Sequence, residues 1–140
     1  MKIRIVDGNI IDSKEDIICC IVDMHGKAKD SQSRKVHETW PENVSECLDY
    51  VSNCANPLGT MLEIRMPLQE QRYVANLFTT FSVNTLQERD ICTLEKSLVS
   101  LHKFAMLKRL SVAIFVDNTE VLDIVGRVLQ EVEVVIYKQF

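Results

Sequence analysis

Glycine is scarce in this chain. Four occur in 140 residues, at 8, 26, 59 and 126, and neither the P-loop pattern nor the dinucleotide-binding glycine pattern is present. Cysteine is present but not organised: Cys19, Cys20, Cys47, Cys54 and Cys92 make an odd number with no CxxC spacing. Neighbours in an extended strand point to opposite faces, so Cys19 and Cys20 cannot line one site. The five read as small buried apolar residues of a reducing compartment, with no disulfide expected. Histidine is limited to His25, His37 and His102, widely spaced. A structural zinc site is therefore not expected, nor any bound metal or cofactor.

Positive charge is also in deficit. Sixteen Lys and Arg stand against 20 Asp and Glu, for a net charge of −4, and no window gathers basic residues with aromatics. That argues against a phosphate-tracking surface and so against a nucleic-acid partner. No stretch approaches the roughly 18 uninterrupted apolar residues of a membrane span. The N-terminal segment is interrupted too soon, at Asp7-Gly8, to read as a signal peptide. The expectation is a cytoplasmic protein without a membrane partner. At 46% hydrophobic and 26% charged, residues 1–140 fit one globular domain with a sizeable core. No linker, repeat or low-complexity tract divides it.

Six strand-like and four helix-like segments alternate. Ile3-Arg4-Ile5-Val6 alternates apolar and polar and stops at Asp7-Gly8, a turn signal. Ile17-Ile18-Cys19-Cys20-Ile21-Val22 is a continuous apolar run, the mark of a strand buried on both faces. Asp30 is placed to cap a short helix reaching Thr39. Pro41 suits the first turn of a second, whose Val44, Cys47, Leu48 and Val51 recur at helical spacing. Residues 60–66 and 72–81 read as two strands joined by a hairpin connection over 67–71. Asp90 is placed to cap the longest helix, with Leu94, Leu98, Leu101 and Ala105 as its apolar stripe. Residues 111–116 form a second continuous apolar strand. Asp117-Asn118-Thr119-Glu120 resembles a capping box opening the last helix, which buries Val121, Ile124, Val125 and Val128. Residues 132–137 close the chain as a sixth strand. Strand–helix–strand units at both ends, with a hairpin between, predict a mixed six-stranded sheet in a three-layer α/β/α sandwich.

In such a sheet the strand ends at Asp23–Ala28, Thr79–Ser82 and Asp117–Thr119 gather on one edge, where open α/β sheets place ligands. The helix beginning near Asn118 offers free N–H groups and the positive end of its dipole to an anion. Lys27 can supply charge to a phosphate, and Phe81 can stack on a base or ribose. Each has a plainer alternative: Lys27 as a solvated loop residue, Phe81 as core, Asp117 and Asn118 as helix caps. His25 beside Asp23 invites an acid–base reading, but no Ser or Cys nucleophile stands at a telling distance.

The order of segments resembles a known family. Val6-Asp7-Gly8-Asn9-Ile10 is similar to the "G-D-I" turn after the first strand of macro domains. Ile21-Val22-Asp23-Met24-His25-Gly26-Lys27-Ala28, leading to Trp40-Pro41, resembles their "N…M-G-K-G-I-A…P" segment. Gly59-Thr60-Met61 and Tyr73-Val74-Ala75-Asn76-Leu77-Phe78-Thr79-Thr80 resemble "G-T-V … Y-V-A-N-L-F-T-Q", the most specific of the matches. The resemblance covers essentially the whole chain.

Macro domains bind ADP-ribose and its relatives, and some hydrolyse ADP-ribosyl bonds or the 1″-phosphate. The resemblance implies a ligand crevice formed by Asn9, Ile10, Asp23, His25, Gly26, Lys27, Ala28, Thr79, Thr80, Phe81, Asp117, Asn118 and Thr119. The family's acid that meets the adenine amino group is Asn9 here, and the asparagine after the second strand is Asp23. The "G-K-G-I-A" loop is Gly26-Lys27-Ala28-Lys29-Asp30 here, without its second glycine and its apolar turn. Where ADP-ribose binders carry a glycine-rich loop after the fifth strand, this chain has Val116-Asp117-Asn118-Thr119-Glu120. That segment lacks the backbone freedom of a phosphate nest and adds two carboxylates. The lysine of one hydrolase branch is matched by Thr80. The expectation is a macro-like domain that binds ADP-ribose or a related nucleotide without hydrolysis. The alternative is a degenerate macro fold acting through a protein partner. A third reading, an enzyme rebuilt on Asp23, His25 or Asp117, stands behind both.

Overall fold

The computed structural model describes residues 3–66, 72–79 and 88–138. Their elements run in the order β1 (Ile3–Val6), a single 3-10 turn (Ile10–Asp12), β2 (Ile17–Val22), α1 (Ser31–Thr39), α2 (Pro41–Ser52), β3 (Met61–Arg65), β4 (Tyr73–Phe78), α3 (Glu88–Lys108), β5 (Val112–Val116), α4 (Thr119–Val128) and β6 (Val134–Lys138). The six strands form one sheet in the order β1-β6-β5-β2-β4-β3. All neighbours are parallel except β3 and β4, which pair antiparallel with Met61 opposite Leu77.

The continuous apolar runs fall at the centre of this sheet, as their composition demands. Every residue of β2 and of β5 is buried. Alternate residues of β2 serve the two sides: Ile17, Cys19 and Ile21 join Leu94, Leu98 and Leu101 of α3 and Val121 and Ile124 of α4. Ile18, Cys20 and Val22 join Val36 of α1 and Cys47 of α2. The sheet thus separates α3 and α4 from α1 and α2, and the three layers are α/β/α. Cys19 and Cys20 lie on opposite faces, and the cysteines are free thiols. Burial pushes the Cys20 thiol well up, and lifts that of Cys47 to about 12.

Local details depart from the sequence reading in three places. Leu48 is 50% exposed rather than buried, because α2 turns Asn43 and Cys47 to the sheet. Asp90 lies inside the first turn of α3, which starts at Glu88. The start of α4 is half a capping box: Asn118 caps it by accepting from Val121 N–H at 2.8 Å, and Val121 at the third helical position has no side chain to reach back. The hairpin connection 67–71 lies outside the described residues. Among the described residues no helix is long and apolar enough to cross a membrane.

Candidate functional site

The crevice is set by where the sheet changes direction. From β5 the chain crosses by α4 to β6 on one side, and from β2 it leaves by α1 and α2 towards β3 and β4 on the other. Divergence of this kind opens a cleft at the C-terminal ends of the two strands. Here β2 and β5 are paired only at Ile17 with Val112 and Ile18 with Ala113, whereas β2 pairs with β4 along six residues.

The chain leaving β2 folds back beside its second half. Ala28 forms an isolated antiparallel bridge with Val22. Lys29 N–H donates to the Ile21 carbonyl at 3.0 Å, and the Ile21 N–H donates to Ser33 Oγ at 2.8 Å. Backbone groups with no partner in β5 are satisfied this way, which a buried strand requires. Asp30 caps α1 at this point: its Oδ1 accepts from Ser33 N–H at 2.7 Å and its Oδ2 from Ser33 Oγ at 3.1 Å. Asp30 is buried, and that burial, with a smaller contribution from the Asp117 charge, raises its carboxyl above the ordinary value. Burial raises Asp117 as well. The Asp30 and Asp117 carboxylates are therefore near enough to influence each other.

The residues singled out in the sequence are arranged as follows. Asp23 is spent on its own loop, its Oδ1 accepting from the backbone N–H of His25 at 2.8 Å and of Lys27 at 3.0 Å. The His25 and Lys27 side chains are exposed. Gly26 is buried with φ +82, and a Cβ there would stand 3.4 Å from the Cys47 backbone. That glycine is required by the packing of the loop on α2. Thr79 is buried where β4 ends beside β2, its N–H donating to the Val22 carbonyl at 3.0 Å. Its hydroxyl is buried without a hydrogen-bond partner among the described residues. Asp117 and Asn118 are half-buried at the mouth of α4, with Thr119 exposed beyond them. Thr80 and Phe81 lie outside the described residues.

The turn after β1 closes one end of the cleft against α1. Ile10 is fully buried, and its N–H donates to Gln32 Oε1 at 2.8 Å. Asn9 Oδ1 accepts from the Lys35 ammonium. Gln32, Ser33 and Lys35 were not legible as site residues. The one available signal was that positions 32 and 35 share a face of the predicted helix. Three cavities lined by described residues lie away from these strand ends: one of about 660 Å3 between Ile3, Met106, Gly126 and Leu129, one of about 380 Å3 by Asp16, Arg109 and Glu133, and one of about 190 Å3 by Trp40, Asn43 and Ile64. Among the described residues no cluster of His, Cys, Asp or Glu is placed to hold a metal ion.

No protein-family model matches the chain, and no curated protein matches it. Solved structures do. The macrodomain of Thermus aquaticus DarG superposes with a TM-score of 0.79 at 20% identity, over 98% of each chain. The macrodomain of Mycobacterium tuberculosis DarG gives 0.76 at 14%, over 99% of this chain and 98% of the other. A Thermosipho africanus DarTG structure in complex with ADP-ribose gives 0.78 at 14%, over 99% of this chain and 42% of that one. The agreement extends over nearly the whole chain, and on that ground the chain has the macro-domain fold.

Proposed function

We propose that this chain binds ADP-ribose or a related nucleotide, without hydrolysing it, in the cleft at the C-terminal ends of β2, β4 and β5. The base lies towards Asn9 and the diphosphate towards the start of α4. The observation that carries the reading is the fold likeness along nearly the whole chain to a protein that holds ADP-ribose. It is supported by the buried Thr79 hydroxyl, which has no hydrogen-bond partner among the described residues. Such a group costs about 1–3 kcal/mol unless a ligand or water satisfies it. The N-terminus of α4, where Asn118 occupies only the Val121 N–H, supplies further donors for an anion. Absence of hydrolysis rests on Thr80 at the position of a catalytic lysine and on the missing glycine loop.

The second reading, a domain that works through a protein partner, is favoured by one observation. Asp117, with the Asp30 charge near it, would lie towards the diphosphate in the nucleotide reading, where a carboxylate opposes a phosphate. Calorimetric titration of the protein with ADP-ribose separates the two. The nucleotide reading expects saturable one-to-one binding. Absence of heat and of any thermal stabilisation at millimolar ligand would leave the protein-partner reading in its place.

A further inference from the structure

We infer that the protein forms a two-fold dimer through the outer end of α3, with Leu107 of each copy seated in the 660 Å3 cavity of the other. Ile3 opens β1 and Val132 precedes β6, so that cavity lies at the N-terminal ends of the strands. The surface is thus at the opposite end of the sheet from the nucleotide cleft, and the inference stands apart from the reading above.

Three large apolar side chains of α3 stay in water: Val99 at 42%, Met106 at 41% and Leu107 at 84%. A lone exposed leucine is common, but a contiguous apolar patch beside a cavity marks a contact surface. Met106 lines the cavity together with Ile3, Leu129 and Val132, so the protruding Leu107 and the apolar hollow adjoin. Gly126 lines it as well, and a Cβ there would stand 3.8 Å from Ile3 Cδ1, an ordinary contact. The hollow is therefore open where the helix carries no side chain.

Charge says what fits the hollow. Leu107 is flanked by Lys103, one turn earlier, and by Lys108, both exposed. The Lys108 ammonium lies 5.8 Å from the centre of the Phe104 ring, which keeps it at the helix surface. The rim of the cavity carries the exposed Glu131, and the adjoining 380 Å3 cavity adds Asp16 and Glu133 against Arg109. Among the described residues Lys103, Lys108 and Glu131 form no ion pair. One face thus carries an apolar knob between cations and, beside it, an apolar hollow edged by carboxylates. A two-fold axis pairs each with its complement twice, the self-complementarity of an isologous interface.

Sedimentation velocity over a concentration series tests it. The expected result is a monomer–dimer equilibrium in the micromolar range. Leu107→Gln removes the knob with a good helix former and is expected to raise the dimer Kd about a hundredfold, since each dimer loses two seated leucines. Gly126→Leu fills the hollow from within its own chain and carries the same expectation, with an unfolding midpoint unchanged or higher. Lys108→Glu and Glu131→Lys should each weaken the dimer about tenfold, and the two together in one chain should restore it to within about twofold. Leu48→Gln, an equally accessible change on α2, should leave the equilibrium as it is. A monomer at every concentration up to about 1 mM overturns the inference. So does a dimer that survives both Leu107→Gln and Gly126→Leu, because it is then held elsewhere. Failure of the paired charge reversal to restore association overturns the facing of Lys108 on Glu131.

Discussion

Asn43 and Asn76 exchange their amides. Asn43 Nδ2 donates to Asn76 Oδ1 at 2.7 Å, and Asn76 Nδ2 donates to Asn43 Oδ1 at 2.8 Å. Asn76 Nδ2 also reaches the Leu62 carbonyl at 3.0 Å. Both residues are buried, so this pair ties α2 to the centre of β4 with polar groups that have no access to water. Removing one partner leaves the other unsatisfied. Asn43→Ala is expected to lower stability by about 2–3 kcal/mol in urea denaturation. The double replacement Asn43→Ala with Asn76→Ala should cost less than the two singles added together. Strict additivity would show that the pair is not coupled.

The Thr79 hydroxyl carries the opposite expectation. Because it is buried without a partner among the described residues, Thr79→Val removes an unsatisfied group at nearly constant shape. The free protein should gain about 1 kcal/mol of stability, while nucleotide affinity should fall by about fivefold. A gain in stability with unchanged affinity would show that the hydroxyl does not meet the ligand.

At the far end of α3 the backbone supplies a third expectation. Arg109 has φ 57 and ends the helix in a Schellman motif: Leu110 N–H reaches the Ala105 carbonyl at 2.9 Å, and Arg109 N–H reaches that of Met106 at 3.4 Å. Glycine occupies this left-handed position without the Cβ clash. Arg109→Gly should therefore raise stability by about 0.5–1 kcal/mol, read as an increase in the unfolding midpoint. A decrease would mean that the arginine side chain contributes contacts outweighing the backbone term.

The two raised carboxyls predict a pH dependence with a definite sign. The Asp30 and Asp117 carboxyls are raised by burial above the ordinary 3.8, so the folded protein binds protons more tightly than the unfolded chain. Their contribution to stability is greatest below the ordinary carboxylate range and falls as pH rises through the window between that range and the folded values. Asp117→Asn removes one of the two groups and should flatten this decline in urea midpoints measured across the window. It should also weaken any gain in nucleotide affinity on acidification. Parallel curves for the two proteins would contradict it.

Much of the fold was legible in the sequence because burial leaves a compositional mark. Six consecutive apolar residues from Ile17 to Val22 have no polar face to give water, so double-sided burial at the sheet centre followed directly. The stripe Leu94, Leu98, Leu101 and Ala105 likewise has one solution, a helix lying on a sheet. What failed was a choice between polar and apolar on α2. Leu48 looked buried by its spacing, but the sheet-facing position went to Asn43, whose partner is 33 residues away. No local pattern announces a buried amide pair. The site was less legible for the same reason. The resemblance implied a ligand role for Gly26 and Asp23, and the structure adds that both hold the loop in place, a packing and hydrogen-bonding role that the motif does not display. Gln32 and Lys35 were not singled out in the sequence, and both hydrogen-bond the turn after β1, at Ile10 N–H and Asn9 Oδ1.

The central claim is that the cleft between the ends of β2 and β5 takes the nucleotide's diphosphate, and Asp117→Gly tests it most directly. The cap of α4 is Asn118, so the replacement removes a carboxylate and leaves the cap in place. Calorimetric titration with ADP-ribose of the wild-type and variant proteins, both checked for an intact unfolding transition, supplies the comparison. Relief of one charge repulsion near the surface is worth about 1 kcal/mol, so binding should tighten about fivefold in the variant. A folded Asp117→Gly protein whose affinity is unchanged or lower would show that the diphosphate does not lie there.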